Sequence, residues 1–176
     1  MAATPKRAAR WAIALALSPV GAALDRFCVR FLAHSPVVWI FTRAEGAAYN
    51  RPLLLTTTGR KTGRPRTVVL PYFESGSGSI VLVGSRGGMR IDPHWARNLV
   101  ACPQARIHLR RREHRVRVRL AEGDERSRLW DAIAERAPIY DTYAERAAPY
   151  RTIPLFVLES ASGRALSDGD DPGIAG

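Results

Sequence analysis

At 176 residues the chain is long enough for one domain with a real core, and a hydrophobic content of 46% excludes a disordered protein. A net charge of +11 points to an anionic ligand, partner or surface without saying which. Two distant cysteines, Cys28 and Cys102, read as buried reduced thiols, and four scattered histidines show no metal-ligand spacing, so no metal site is expected.

The N-terminus carries Lys6, Arg7 and Arg10 ahead of an uncharged run from Trp11 to Leu24. That run is short for a bilayer span and is broken by Pro19. A secretory signal is one reading. The other, which we favour, is a pair of helices at a membrane interface. In its favour, Leu24, Phe27, Cys28, Phe31 and Leu32 keep helical spacing, with Asp25, Arg26 and Arg30 opposite. A short apolar run, Val37–Phe41, follows the His34-Ser35-Pro36 interruption.

The first clear strand spans Pro52–Thr58 and breaks at Gly59. Arg60, Lys61, Arg64 and Arg66 crowd the turn before a second strand over Thr67–Phe73. Such a hairpin tip can aim backbone N–H groups and cationic side chains at phosphate or carboxylate oxygens. Taken alone, it reads more readily as a solvated basic turn. The Walker spacing is absent, because Leu54 stands where that motif needs its first glycine.

Ser75–Ser79 is a flexible turn, and Ile80–Val83 is a strand buried on both faces. A glycine cluster, Gly84-Ser85-Arg86-Gly87-Gly88, follows it, and reads equally as an ordinary loop or as a place where a ligand approaches the backbone. Asp92 and Pro93 have the pattern of a helix N-cap and first turn, with Trp95, Asn98, Leu99 and Cys102 along one side. Residues 105–120 read as a hairpin, with Arg115, Arg117 and Arg119 on one face and Val116, Val118 and Leu120 on the other. Arg110, Arg111 and Arg112 are assigned to the partner strand. No aromatic residue interleaves with these arginines, which disfavours nucleic-acid binding and leaves a solvated or lipid-facing sheet surface. An acidic first turn at Glu122–Glu125 opens a helix to Ala137, and a second helix carries Tyr140 and Tyr143. Arg151–Leu158 is the last β-prone run, and the tail over residues 161–176 is expected to be disordered. The plan is α+β, mainly β: a small barrel over residues 51–160 with flanking helices and an N-terminal helical segment over 1–50.

Taken together, Leu55-Thr-Thr-Thr-Gly59-Arg-Lys-Thr-Gly63-Arg-Pro-Arg66, Gly84–Gly88, Pro93-His-Trp95-Ala-Arg-Asn98-Leu99, Pro138-Ile-Tyr140-Asp-Thr-Tyr143 and Ile153-Pro154 resemble the deazaflavin-dependent nitroreductase family. The resemblance covers about residues 52–159 and implies a flavin-binding-like split β-barrel. It implies hydride transfer from reduced coenzyme F420 to a quinone, a nitroaromatic or an activated alkene. Arg60, Lys61, Thr62 and Arg66 would hold the coenzyme's acidic tail. Ser85, Arg86, Gly87 and Gly88 would lie along its ring, and Trp95 and Asn98 would complete the pocket. Tyr140 and Tyr143 would line the substrate side, and Ser85 or a tyrosine would polarise the acceptor. The chain departs from the family pattern at Ala137 and over residues 147–152. Competing readings are a split barrel binding FMN or haem, a non-catalytic carrier of the coenzyme, and a basic membrane- or nucleic-acid-binding module. The expected setting is the cytoplasm, with peripheral contact to an anionic membrane, and a homodimer is compatible with this plan.

Overall fold

The computed structural model describes residues 18–32, 34–37 and 52–166. The expectations for residues 1–17, for the apolar run beyond Val37 and for residues 167–176 lie outside that range. Strands β1 (Pro52–Thr58), β2 (Pro65–Pro71), β3 (Phe73–Glu74), β4 (Ile80–Val83), β5 (Gln104–Leu109), β6 (Arg112–Leu120) and β7 (Leu155–Ser160) form one sheet. Its order is β2-β1-β5-β6-β7-β4-β3, and every pairing is antiparallel. The edge strands β2 and β3 are separated in sequence by Tyr72 alone. The sheet therefore has to curl until its two edges meet at that residue, which makes it the half-barrel expected of a split β-barrel.

Period-two alternation sorts the strands' side chains into two apolar layers. Leu53, Leu55, Ile80, Leu82, Ile107, Val116, Phe156 and Leu158 fill the barrel interior. From the other faces of β4 and β7, Val81, Leu155 and Val157 pack beneath helices α3 (Gly123–Arg136) and α4 (Ile139–Ala147), against Leu129, Ile133 and Tyr140. Each such fully buried side chain contributes about 1.5–3 kcal/mol relative to exposure. β4 is thus buried on both faces, as its unbroken apolar run predicts.

Several expectations are corrected. Strand β2 begins at Pro65, earlier than expected, because the edge position needs no donor from a proline. Arg110 and Arg111 are the turn between β5 and β6, not strand residues, with φ of 48° and 69°. Arg110 is held there by an ion pair of 2.7 Å to Glu74, a carboxylate only 3% exposed. Leu120 lies 40% exposed at the end of β6, off the buried row of Val116 and Val118.

Helix α1 (Pro19–Leu32) turns inward a different face from the one its periodicity suggests. Val29 and Asp25 are buried, while Leu24, Phe27, Phe31 and Leu32 are exposed. Asp25 is satisfied because its carboxylate accepts the Ser35 hydroxyl at 2.8 Å and the Val37 N–H at 3.2 Å. Cys28 and Cys102 are free thiols, half-buried instead of fully buried. Beyond β7, Leu166 returns to the core, and its N–H donates to the Gly78 carbonyl at 2.7 Å.

Candidate functional site

The hairpin tip is tightly built. The Gly59 N–H donates to the Arg64 carbonyl at 2.9 Å, and the Gly63 N–H donates to the Gly59 carbonyl at 2.7 Å. A Cβ at Gly59 would stand 3.0 Å from both the Arg64 carbonyl and the Thr62 hydroxyl, so glycine lets the tip close on itself. Gly63, at φ 66°, supplies the left-handed turn residue.

Helix α2 (His94–Ala101) faces the tip. Asn98, 4% exposed, joins the two elements. Its amide donates to the Thr57 hydroxyl at 3.0 Å, and its carbonyl accepts from the Arg60 backbone at 3.2 Å and guanidinium at 3.4 Å. Asn98 therefore acts as a strut between helix and hairpin, with its polar atoms already engaged. Asp92 makes no side-chain cap bond to the helix; it pairs with Arg151 at 2.7 Å instead.

Between these elements lies a cleft of about 770 Å³, within the usual range of small-molecule and cofactor sites. One wall is Thr57, Gly59, Arg60, Lys61, Thr62, Arg66, Thr67 and Val68. The other is Arg86 with Pro93, His94, Trp95, Arg97 and Asn98. Five permanent cations thus face one space, and among the described residues no Asp or Glu lines it. Such a donor set suits phosphate and carboxylate oxygens. Trp95 offers less surface than expected, because its ring is 8% exposed and packs edge-on against Phe156 at 5.3 Å.

The glycine cluster borders the cleft through Arg86. Ser85, Gly87 and Gly88 are not among the lining residues. Arg86, Gly87 and Gly88 all have positive φ, at 48°, 63° and 77°. Gly88 is buried against α4, where a Cβ would come within 2.6 Å of the Tyr143 carbonyl. Docking onto that helix therefore requires glycine here. Tyr140 and Tyr143 also lie away from the cleft. Tyr140, 8% exposed, sits edge-on between Phe73 at 5.7 Å and Tyr143 at 5.9 Å, inside the outer apolar layer. Their three-residue spacing does place them side by side, but α4 turns that side toward the barrel.

Sequence reading missed His94 and Arg97, which stand three apart on the same face of α2 as Asn98, a spacing that could have revealed them. It also missed Arg151 as a site element. This side chain, 10% exposed, donates to the carbonyls of Gly84 (3.2 Å), Ser85 (2.7 Å) and Met89 (2.8 Å), and pairs with Asp92. Its partners lie 59–67 residues away in the chain, so no local pattern announces them.

Residues 37–160 match the model of the F420H(2)-dependent quinone reductase family. The chain belongs to that family. Among similar proteins are an F420H(2)-dependent quinone reductase of Mycobacterium tuberculosis, 36% identical over 85 residues, and a second, putative one from the same organism, 34% identical over 88. The first match covers 47% of this chain and 56% of that protein, so the chain spans little more than half its length. The second covers 48% and 73%. The solved F420-H2 dependent reductase FDR-A shares 33% identity at a TM-score of 0.55, over 61% of this chain and 93% of its own. A further solved structure, a domain-swapped dimer, shares 31% identity at a TM-score of 0.55, over 71% and 100%.

Proposed function

We propose that this member of the quinone reductase family transfers a hydride from reduced coenzyme F420 to a quinone. The observation that carries the reading is the cleft itself: two walls of cations, with no acidic residue among the described residues, next to a glycine-rich loop. Arg60, Lys61 and Arg66, with Thr62, hold the phosphodiester and carboxylates of the tail, and Arg86 and Arg97 face them from the other wall. His94 adds an imidazole donor to that wall. When bound, the deazaflavin supplies the hydride. The chain binds the tail, orients the ring against the Ser85–Gly88 loop and limits water, and such positioning is what hydride transfer chiefly requires. Ser85 is the remaining side-chain candidate for polarising the acceptor. Tyr143 backs the loop at Gly88, and Tyr140 packs against Tyr143.

The exposed apolar face of α1 supports peripheral contact with a lipid surface, where an apolar quinone would partition. Among the described residues no helix is long and apolar enough to cross a membrane. Two free thiols fit a reducing, cytoplasmic setting. The domain-swapped neighbour supports homodimerisation, which light scattering of the purified chain would test.

Titration with coenzyme F420 and with FMN, followed by tryptophan quenching, tests the central reading. Coenzyme F420 is expected to bind more tightly, with an affinity that falls as salt rises. Tighter binding of FMN, or binding of neither, would overturn it.

A further inference from the structure

The loop between β4 and α2 combines two features that the cofactor reading leaves unused. The first is its backbone. Ser85 is right-handed, with φ −68° and ψ −46°, and Arg86 is left-handed at φ 48°. A right-handed residue followed by a left-handed one turns successive N–H groups toward a common centre, a concavity that takes a negatively charged oxygen. Here the three N–H groups belong to Ser85, Arg86 and Gly87. Among the described residues none of them donates a hydrogen bond, whereas the next two, Gly88 and Met89, donate to the Ser85 and Arg86 carbonyls.

The second feature is Arg151, which uses four of its five N–H donors on this loop and on Asp92 at its far end. By drawing the carbonyls of Gly84 and Ser85 to its own side, it fixes the peptides that carry the Ser85 and Arg86 N–H groups, while the Met89 N–H holds the Arg86 carbonyl of the third. The N–H groups are left on offer, and the left-handed strain at Arg86 is held in place. With these donors engaged and only 10% of its side chain exposed, Arg151 has little left for a ligand.

We propose that the N–H groups of Ser85, Arg86 and Gly87 form an oxyanion site for the quinone acceptor, with Arg151 as its positioning residue. The inference rests on the hydride-transfer reading above. Hydride acceptance reduces a quinone to the hydroquinone monoanion. The donor C–H bond breaks as the coenzyme is oxidised, the hydride's electron pair forms the new bond to the quinone, and negative charge collects on a quinone oxygen. A solvent proton then neutralises that oxygen. Fixed N–H donors stabilise the charge as it develops without having to reorganise.

The test compares two acceptors with the same reduced coenzyme: a naphthoquinone, which develops an oxyanion, and a phenazinium dye, a cationic hydride acceptor with no carbonyl. The readout is the ratio of kcat for quinone to kcat for dye, measured alongside coenzyme Kd. In Arg151→Met the ratio is expected to fall at least tenfold, while quinone KM and coenzyme Kd stay within about threefold. A paired test leaves Arg151 in place. Arg86→Gly weakens coenzyme binding but keeps the left-handed backbone, so at saturating coenzyme it should hold the ratio within about threefold, whereas the β-branched Arg86→Val should lower it as Arg151→Met does. An unchanged ratio in both Arg151→Met and Arg86→Val overturns the proposal. So does an equal drop in Arg86→Gly and Arg86→Val, which would assign the effect to the side chain. If Arg151→Met does not fold, the Arg86 pair decides. Failure of the wild-type protein to bind the coenzyme, or to reduce either acceptor, instead overturns the functional reading.

Discussion

Asn98 offers the sharpest separation of support from ligand binding. Asn98→Ala removes three hydrogen bonds, two to Arg60 and one to Thr57, and opens a small void beneath the hairpin. The Thr57 hydroxyl, in a residue 2% exposed, keeps only a long contact of 3.5 Å to the Arg66 carbonyl. At about 0.5–1.5 kcal/mol for each neutral bond, with the Arg60 guanidinium still reachable by water, the loss comes to about 2–3 kcal/mol. For a domain of this size that lowers Tm by roughly 4–12 °C. Asn98→Asp behaves differently. A carboxylate can still accept from the Arg60 N–H and from the Thr57 hydroxyl, which reverses its role, so stability should stay within about 1 kcal/mol. It also places an anion among the cleft cations. At an effective dielectric of about 20 and a separation of roughly 8 Å, repulsion of a bound phosphate is about 2 kcal/mol, a loss of roughly 30-fold in affinity. The assays are thermal unfolding and coenzyme titration on both variants. A strut predicts that Ala lowers Tm and that Asp spares Tm while weakening binding. If Ala left Tm within 1 °C yet abolished binding, Asn98 would be a direct ligand and the reasoning from its hydrogen bonds would fail.

Replacing Arg60 and Lys61 together by Gln should weaken coenzyme binding at least tenfold and flatten its salt dependence, measured as Kd between low and moderate ionic strength. Gly88→Ala should destabilise more than Gly87→Ala in urea unfolding. Both positions have positive φ, but only at Gly88 does a Cβ meet the Tyr143 carbonyl at 2.6 Å and Arg146 Cβ at 2.7 Å, while the space at Gly87 is open. The Arg119 hydrogen bonds hold the Glu125 carboxyl below its ordinary value of 4.5. Because that folded pKa is depressed, its stabilisation is fully present above about pH 4.5 and is lost as pH falls through the folded value. Arg119→Gln should therefore flatten the acid limb of stability measured by urea midpoints from pH 5 to 2. Both side chains are more than a third exposed, so the change should be small and salt-sensitive.

Elements defined by their own residues were legible in the sequence. The apolar climb to Thr58 and the break at Gly59 placed β1 to the residue, and the unbroken Ile80–Val83 run placed β4. Of the hairpin cations, which sit within seven residues of one another, Arg60, Lys61 and Arg66 line one wall of the cleft as local spacing suggests, whereas Arg64 does not. Features that depend on distant partners were not legible. The turn at Arg110 and Arg111 lacks the Asn and Gly that such turns favour, and Arg110 is held there by the buried Glu74, far away in the chain. Asp25 looks like a surface residue until Ser35 and Val37 fold back onto it. Helical spacing put Tyr140 and Tyr143 together without saying which side of α4 meets the barrel.

Arg86 shows how strain and function meet in this fold. A left-handed residue between Ser85 and Gly87 would cost glycine nothing, whereas an L side chain there costs about 1–2 kcal/mol. Packing does not require arginine, since the residue is exposed and its nearest hydrogen bond, to the Ile91 carbonyl, is a long 3.5 Å. The side chain does line the cleft, opposite Arg60 and Lys61. A cation is thus kept at a strained position where it adds to the repulsion among its neighbours, and a bound polyanion would offset that repulsion. Arg86→Gly should therefore raise the Tm of the free protein and lower its affinity for the coenzyme. A variant that loses both stability and affinity would show that the arginine supports the loop instead of serving the ligand.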